Sequence, residues 1–315
     1  MLKIETERLS REWCNWLKLV AAVLVAVSHY STVVVVNNHW SDSHFLRFFC
    51  QGGYIGVAIF FFLSGYGLME SDLKRHLGWM DFVKRRLSKV YLPFLMVSFV
   101  WIPCYYLLLS TQPMEWRTFL YDIVWGGRDA VVWFIKILFM MYAVFYAFTA
   151  LWRRNRFWAH VVLVGGLGLC MAVSAYTFGA FSVMSIPLFG IGVYTSLYKR
   201  SRLMYVPVSY WLIALLGVVG ATYFLITHDN IAAHIAVNAV VIIGVVSLVY
   251  VLNSITPPLL LSSSWLSATF VLYIVHMKVL DVLTSQWGYI SFTTYVLSVC
   301  VVVYQVNRIK MWLKI

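Results

Sequence analysis

The chain has 315 residues, of which 62% are hydrophobic and only 11% are charged, and its formal net charge is +12 at pH 7. So few charged residues exclude a water-soluble globular protein of this length. The positive charge does not indicate a nucleic-acid partner, because the lysines and arginines occupy short segments separated by helix lengths. Membrane topology and anionic lipid head groups account for most of this charge.

Ten apolar stretches alternate with short loops, and each is long enough to cross a bilayer, which takes about 20 apolar residues in a helix. The first is longer than a signal-peptide core and has no small-residue cleavage site after it, so we expect a mature helix. The sequence predicts an all-α, polytopic membrane bundle of about ten transmembrane helices, with 1–315 as a single integral-membrane domain and no appended soluble domain. The stretches lie at roughly 16–36, 52–69, 90–110, 131–151, 158–175, 180–198, 203–226, 234–251, 264–283 and 290–306.

The basic residues fall almost entirely on one side of these stretches. With the amino terminus in the cytoplasm, the inner segments hold runs such as 84–89, 153–156 and 199–202, whereas the outer loops hold only Arg47, Arg117 and Arg128. This is the positive-inside pattern, and it predicts that both termini are cytoplasmic. We expect a multi-pass protein of the cell membrane, of the bacterial inner-membrane type.

Ionisable residues inside spans are costly and indicate function. Lys18 and His29 are eleven residues apart in the first span, so they share one helix face about 16 Å apart along the axis. Lys18 could instead be a lysine that extends its ammonium to the membrane surface, and His29 could bond to a neighbouring helix. Lys136 and His276 are predicted at the depth of His29, where a histidine is suited to accept a proton.

Three further features allow a structural reading. Lys278 and Asp281 are three residues apart and predict an intrahelical ion pair. Arg86 and Lys89 precede the third span with the same spacing, and they could bind phosphate or only fix orientation. The glycines and Ser64 of segment 52–67 predict close helix packing. The five cysteines have no paired spacing that would predict disulfides or a zinc site.

The order of these motifs resembles the acyltransferase 3 family, which consists of membrane-embedded O-acyltransferases of about ten spans. The resemblance covers nearly the whole chain. It rests on Lys18 with His29, the Phe60-Phe-Phe-Leu-Ser-Gly-Tyr66 run, Arg86 and Lys89 before Pro93, and Trp133-Phe-Ile135. In this family a basic residue precedes a first-span histidine by eleven positions, as here. A second arginine is replaced by Lys89, which binds phosphate as a point charge rather than through two parallel bonds. A fourth-span glutamate of many relatives is Lys136, so its role is not transferred.

The resemblance implies transfer of an acyl group, most often acetyl, from cytoplasmic acyl-CoA to a hydroxyl of a cell-surface or exported carbohydrate. His29 is then the general base or a transient acyl carrier. The expected partners are acyl-CoA, a carbohydrate or glycolipid acceptor and membrane lipids, with no permanently bound cofactor and no metal. The expected donor-binding residues are Lys18, Arg85, Arg86 and Lys89. The expected supporting polar layer consists of Lys136, His276, Ser64, Tyr66 and Trp133.

Two other classes of function fit a ten-span chain. A secondary transporter or flippase for a glycolipid or polysaccharide precursor should show paired interrupted helices in two repeated halves, and the sequence shows no such repeat. A non-catalytic assembly subunit would tolerate the loss of His29, whereas an enzyme would not.

Overall fold

The computed structural model of the chain describes Leu9 and residues 11–38, 49–50, 52–111, 113–126, 131–198, 268–288 and 290–312, together with positions 235, 238, 240 and 244. Every secondary-structure element in these ranges is helical. The predicted spans at 203–226 and 234–251 lie outside the described residues, apart from the four isolated positions.

The main helical elements in the described part of the chain are connected by turns and loops. In chain order they are α1 (Arg11–Asn38), α2 (Gly52–Lys74), α3 (Trp79–Arg86), a π-helical segment (Leu87–Tyr91), α4 (Leu92–Leu108), α5 (Trp116–Trp125), α6 (Val132–Trp152), α7 (Arg156–Phe178), α8 (Pro187–Tyr198), α9 (Thr269–Trp287) and α10 (Phe292–Trp312).

Within the described residues, six helical stretches are long and apolar enough to cross a membrane. They are Arg11–Val34, Gly52–Lys74, Trp79–Leu108, Val132–Trp152, Arg156–Phe178 and Phe292–Trp312. The all-α membrane fold is therefore confirmed. The number of ten spans and the orientation of the termini stay predictions.

Two predicted spans differ from the observed helices. The stretch 180–198 forms an α-helix only from Pro187, because Ala180–Ser182 is a 3-10 turn and further turns follow it. The resulting α8 has 12 residues, fewer than a spanning helix needs. Helix α9 has 19 residues, covers most of the ninth predicted span and contains His276, Lys278 and Asp281, and it is not among the six stretches.

Glycines allow α2 to approach the helices on either side of it. A Cβ atom at Gly53 would lie 2.9 Å from Ser28 Oγ of α1, and one at Gly56 would lie 2.6 Å from the carbonyl oxygen of Ala21. At Gly65 an added Cβ would overlap the carbonyl oxygen of Phe189 in α8. The predicted small-residue packing of segment 52–67 is confirmed, and it fixes α1, α2 and α8 as one closely packed group.

Helices α9 and α10 lie beside the second half of α1. The Tyr30 hydroxyl of α1 donates to the carbonyl oxygen of Ile290 at 2.8 Å. The Tyr295 hydroxyl of α10 donates to the carbonyl oxygen of Ala26 at 3.3 Å. Helix α1 therefore lies between the α2 glycine face and the α9–α10 pair, so its side chains reach the centre of the bundle.

One end of the bundle gathers the basic residues. Arg11 begins α1, Lys74 ends α2 and Arg86 ends α3. Arg153, just after α6, forms an ion pair with Asp72 of α2 at 3.2 Å. We call this end the basic end; in the predicted orientation it faces the cytoplasm.

Candidate functional site

Two histidines meet inside the bundle, and we call them the histidine pair. His29 is half-buried on α1, His276 is 0% exposed on α9, and their ring centroids lie 5.2 Å apart with the planes tilted by 35°. The sequence places them at one depth, and the structure also turns both rings toward each other. Two imidazoles at this distance can exchange or share a proton with a small reactive group between or beside them.

Aromatic side chains hold the α9 part of the pair. Nδ1 of His276 lies 2.7 Å from the carbonyl oxygen of Tyr273, one turn earlier on the same helix. The Tyr273 ring is buried between α2 and α6, with its centroid 5.2 Å from Phe60 and 4.7 Å from Phe134. Sequence reasoning did not identify Tyr273, because an aromatic residue in an apolar span carries no signal of its own.

Five cations form a second group, which we call the basic cluster. The Lys18 ammonium is repelled by the charges of Arg11, Arg86 and Lys89. Lys89 is repelled by the charges of Arg11, Arg85 and Arg86. The structure therefore brings together the four expected donor-binding residues and adds Arg11, which is not among the expected ones. Gathered like charges make a favourable site for a polyanion at the membrane surface.

Arg86 of the basic cluster packs against two aromatic rings. Its guanidinium carbon lies 5.6 Å from the ring centroids of both Phe82 and Tyr142. The Tyr142 hydroxyl is within hydrogen-bonding reach of Arg86 and of Ser64 from α2. Rings on the guanidinium restrict its rotation and leave its planar fork oriented, which is the form in which arginine binds phosphate best.

The π-helical segment begins directly after Arg86 and contains Lys89. Its backbone is bonded i to i+5, as shown by the amide of Leu92, which donates to the carbonyl of Leu87. Arg86 is half-buried against the rings, and Lys89 is exposed. Single π-helical turns are frequent at functional sites.

The residues of the expected polar layer divide among three places. His276 lies at the histidine pair. Ser64 and Tyr66 lie toward the basic end: Ser64 approaches Tyr142, and the buried Tyr66 accepts a hydrogen bond from the Leu9 amide at 3.0 Å. They lie 11 and 13 residues after Gly53, which packs on Ser28 beside His29, so about 16 to 20 Å of helix separates them from the histidine pair.

Lys136 and Trp133 face away from the histidine pair. Lys136 Nζ lies 5.8 Å from the ring centroid of Phe178 at the end of α7, and Trp133 lies 5.5 Å from Phe181. Phe134 of α6 points to Tyr273, and at about 100° per residue position 136 points to nearly the opposite side. The sequence prediction that Lys136 belongs to the polar layer used only its depth in the membrane and did not consider which face of α6 it occupies.

Lys278 occupies a separate surface of α9. Its Nζ donates to the carbonyl of Ile274 at 2.9 Å and lies 5.9 Å from the Trp101 ring centroid of α4. It lines a groove of about 550 Å³ between α4, α9 and α10, whose lining is otherwise almost wholly apolar. The Lys278–Asp281 ion pair stays a prediction.

Lys18 and His29 connect the two groups along α1. The two residues are eleven positions apart, which corresponds to about 16 Å along one face of the helix. A ligand whose anionic part binds the basic cluster can therefore extend a linear arm of that length to the histidine pair.

Comparison with known proteins agrees with the sequence resemblance. The model of the acyltransferase 3 family, described as an acyltransferase domain, matches residues 11–305, which is nearly the whole chain and includes both the basic cluster and the histidine pair. No curated protein and no solved structure matches the chain.

Proposed function

The chain belongs to the acyltransferase 3 family, and from this premise we propose that it is a membrane O-acyltransferase that moves an acetyl group from cytoplasmic acetyl-CoA to a hydroxyl of a cell-surface or exported carbohydrate. The observation that carries the proposal is that Lys18 of the basic cluster and His29 of the histidine pair lie on one face of α1. One group suits the phosphates of the donor, and the other suits the reacting acyl group.

The basic cluster supports a CoA donor. CoA carries several phosphate groups at one end and its thioester at the end of a flexible pantetheine arm. Arg86 can bind a phosphate through two parallel hydrogen bonds, and Lys18, Arg85 and Lys89 add point charges. Binding of the anion also relieves the repulsion between Lys18 and Lys89.

His29 supports the chemical step. A sugar hydroxyl is a poor nucleophile until a base removes its proton. As the hydroxyl oxygen attacks the thioester carbonyl, His29 accepts the proton, the C–S bond breaks, and the imidazolium returns the proton to the CoA thiolate. Alternatively, His29 attacks the thioester carbonyl, the C–S bond breaks and CoA leaves as the thiolate. The hydroxyl oxygen then attacks the acyl-imidazolium, the bond between nitrogen and acyl carbon breaks, and the hydroxyl proton passes to the CoA thiolate. Both routes use the same nitrogen lone pair.

The membrane fold supports an acceptor that is exported or held at a membrane. His29 is half-buried inside the bundle, and a donor from the basic end and an acceptor from the other end could meet there. We place the protein in the cell membrane, of the bacterial inner-membrane type, with the basic end in the cytoplasm.

The test compares surface glycans from cells with and without the gene by mass spectrometry, together with purified protein incubated with radiolabelled acetyl-CoA and the isolated glycan. We expect ester-linked acetyl groups only when the active protein is present. An unchanged acylation profile, with no label transferred to glycan, would contradict the proposal. Glycan that accumulates on one side of the membrane without loss of acetylation would indicate a transporter instead.

A further inference from the structure

The hydrogen bond of His276 fixes which of its nitrogens carries a proton. Nδ1 lies 2.7 Å from the carbonyl oxygen of Tyr273, and a carbonyl oxygen can only accept. Nδ1 must therefore be the protonated nitrogen, and in the neutral ring Nε2 is left with a lone pair.

Nε2 of His276 is buried and has no hydrogen-bond partner among the described residues. Buried polar atoms are almost always paired, and one that is not deserves an explanation. The neighbouring imidazole belongs to His29, whose ring centroid lies 5.2 Å away. That distance leaves room for a hydrogen bond of about 3 Å between one nitrogen of each ring after a small rotation.

His276 is also held firmly enough to act on its neighbour. Its acceptor carbonyl belongs to the turn of α9 that packs Tyr273 against Phe60 and Phe134. The ring is completely buried, whereas that of His29 is half-buried. The more rigid ring of the pair therefore presents the acceptor, and the more accessible ring is left to meet a ligand.

We propose that His276 is a positioning residue that sets the tautomer of His29. Its Nε2 accepts a hydrogen bond from one ring N–H of His29, so the other His29 nitrogen keeps its lone pair and faces the acyl group or the acceptor hydroxyl. This inference rests on the proposed function for its catalytic consequence, but the coupling between the two rings does not depend on which reaction follows.

Two substitutions of His276 distinguish a positioning role from a packing role. In His276→Asn the side-chain amide occupies the place of Nδ1 and can still donate to Tyr273, but nothing replaces Nε2. In His276→Gln the amide lies near the place of Nε2, and its oxygen can accept from His29. We expect His276→Asn to lower kcat by about 10- to 100-fold with little change in the KM for acetyl-CoA, and His276→Gln to recover a clear part of that loss.

His160 provides matched control variants. It is a half-buried histidine on α7 whose Nδ1 is paired with the Tyr194 hydroxyl at 2.9 Å, and it lies outside both groups of the site. His160→Asn and His160→Gln should leave kcat close to that of the wild type. Equal losses in His276→Asn and His276→Gln would overturn the proposal, because a packing role does not distinguish the position of the amide.

A spectroscopic measurement tests the coupling without any turnover. In protein labelled with ¹⁵N-histidine, the ring nitrogen shifts report the tautomer of each imidazole, and His29→Asn assigns the His29 signals. We expect one His29 tautomer in the wild type and a mixture in His276→Asn. Unchanged His29 tautomers would overturn the inference even if acyl transfer is found. A coupled pair in a protein that transfers no acyl group would reject the proposed function and leave the coupling intact.

Discussion

Lys18 of the basic cluster and His29 of the histidine pair share one face of α1, yet the two groups are built in opposite ways. The cluster gathers like charges at the end of the bundle, and several of its side chains are exposed. The pair brings two imidazoles together in the interior, with one of them completely buried and bonded to its own helix. A site of the first kind suits the binding of an anion, and a site of the second kind suits the movement of a proton. Substitutions in the two regions should therefore affect different steps.

The orientation of the basic cluster and the histidine pair relative to the membrane gives an all-or-none prediction. In a cysteine-free variant, a single cysteine at Lys84 should resist an impermeant thiol reagent in intact cells and react after permeabilisation, whereas one at Arg117 should react in intact cells. Both positions are exposed, and they lie at opposite ends of the bundle. The reverse labelling pattern would place the basic cluster outside the cell, where acyl-CoA is not available.

The largest graded effect is expected at the histidine pair. His29→Ala should lower turnover by about 10²- to 10⁴-fold, the range for loss of a general base, and should leave acetyl-CoA binding unchanged. Turnover is measured with radiolabelled acetyl-CoA, and donor binding by calorimetry on purified protein. His160→Ala, which removes a half-buried histidine elsewhere, is the control for nonspecific loss. Near-normal turnover in His29→Ala would exclude it as base or carrier and direct attention to His276.

At the basic cluster we expect substitutions to weaken donor binding rather than to lower turnover. Arg86→Ala should weaken acetyl-CoA binding by about 1 to 3 kcal/mol, or roughly 5- to 150-fold in Kd, with kcat at saturating donor largely kept. Arg86→Lys should retain part of the affinity, because the charge remains while the planar fork is lost. The control is Arg117→Ala, which removes an exposed arginine from the other end. If Arg86→Ala binds the donor normally, then Arg86 serves orientation or packing on Tyr142 alone.

The close packing of α2 against α8 should contribute to the stability of the fold. Gly65→Ala places a methyl group against the carbonyl oxygen of Phe189, and overpacking of this kind costs about 1 to 3 kcal/mol. Gly67→Ala is a matched control two residues later, since a Cβ atom there meets nothing within 4 Å. Thermal unfolding followed by intrinsic fluorescence should show a lower midpoint only for Gly65→Ala. Equal midpoints would mean that α2 and α8 separate without loss of stability.

Much of this architecture could be predicted from the sequence, because hydropathy and the distribution of basic residues act over whole helices. The spacing of Lys18 and His29 also transfers directly to the structure, since it depends only on the regular geometry of α1. Local changes in backbone geometry could not be predicted from the sequence. The π-helical segment that contains Lys89 begins directly after Arg86, and turns precede α8, which begins at Pro187. Neither feature alters the hydropathy of its segment.

The smallest effect is expected at Lys136, which shares a predicted depth with the histidine pair but not its location. Its ammonium lies over Phe178 of α7, and such a contact contributes about 0.5 to 1 kcal/mol at an accessible site. Lys136→Ala should therefore lower the unfolding midpoint slightly and change kcat/KM by less than about threefold, which corresponds to under 1 kcal/mol of transition-state stabilisation. Lys136→Met keeps the length of the side chain without its charge and should behave in the same way. A loss of turnover as large as that of His276→Asn would show that the charge of Lys136 acts on the reacting groups. Lys136 would then form part of the site in addition to the basic cluster and the histidine pair.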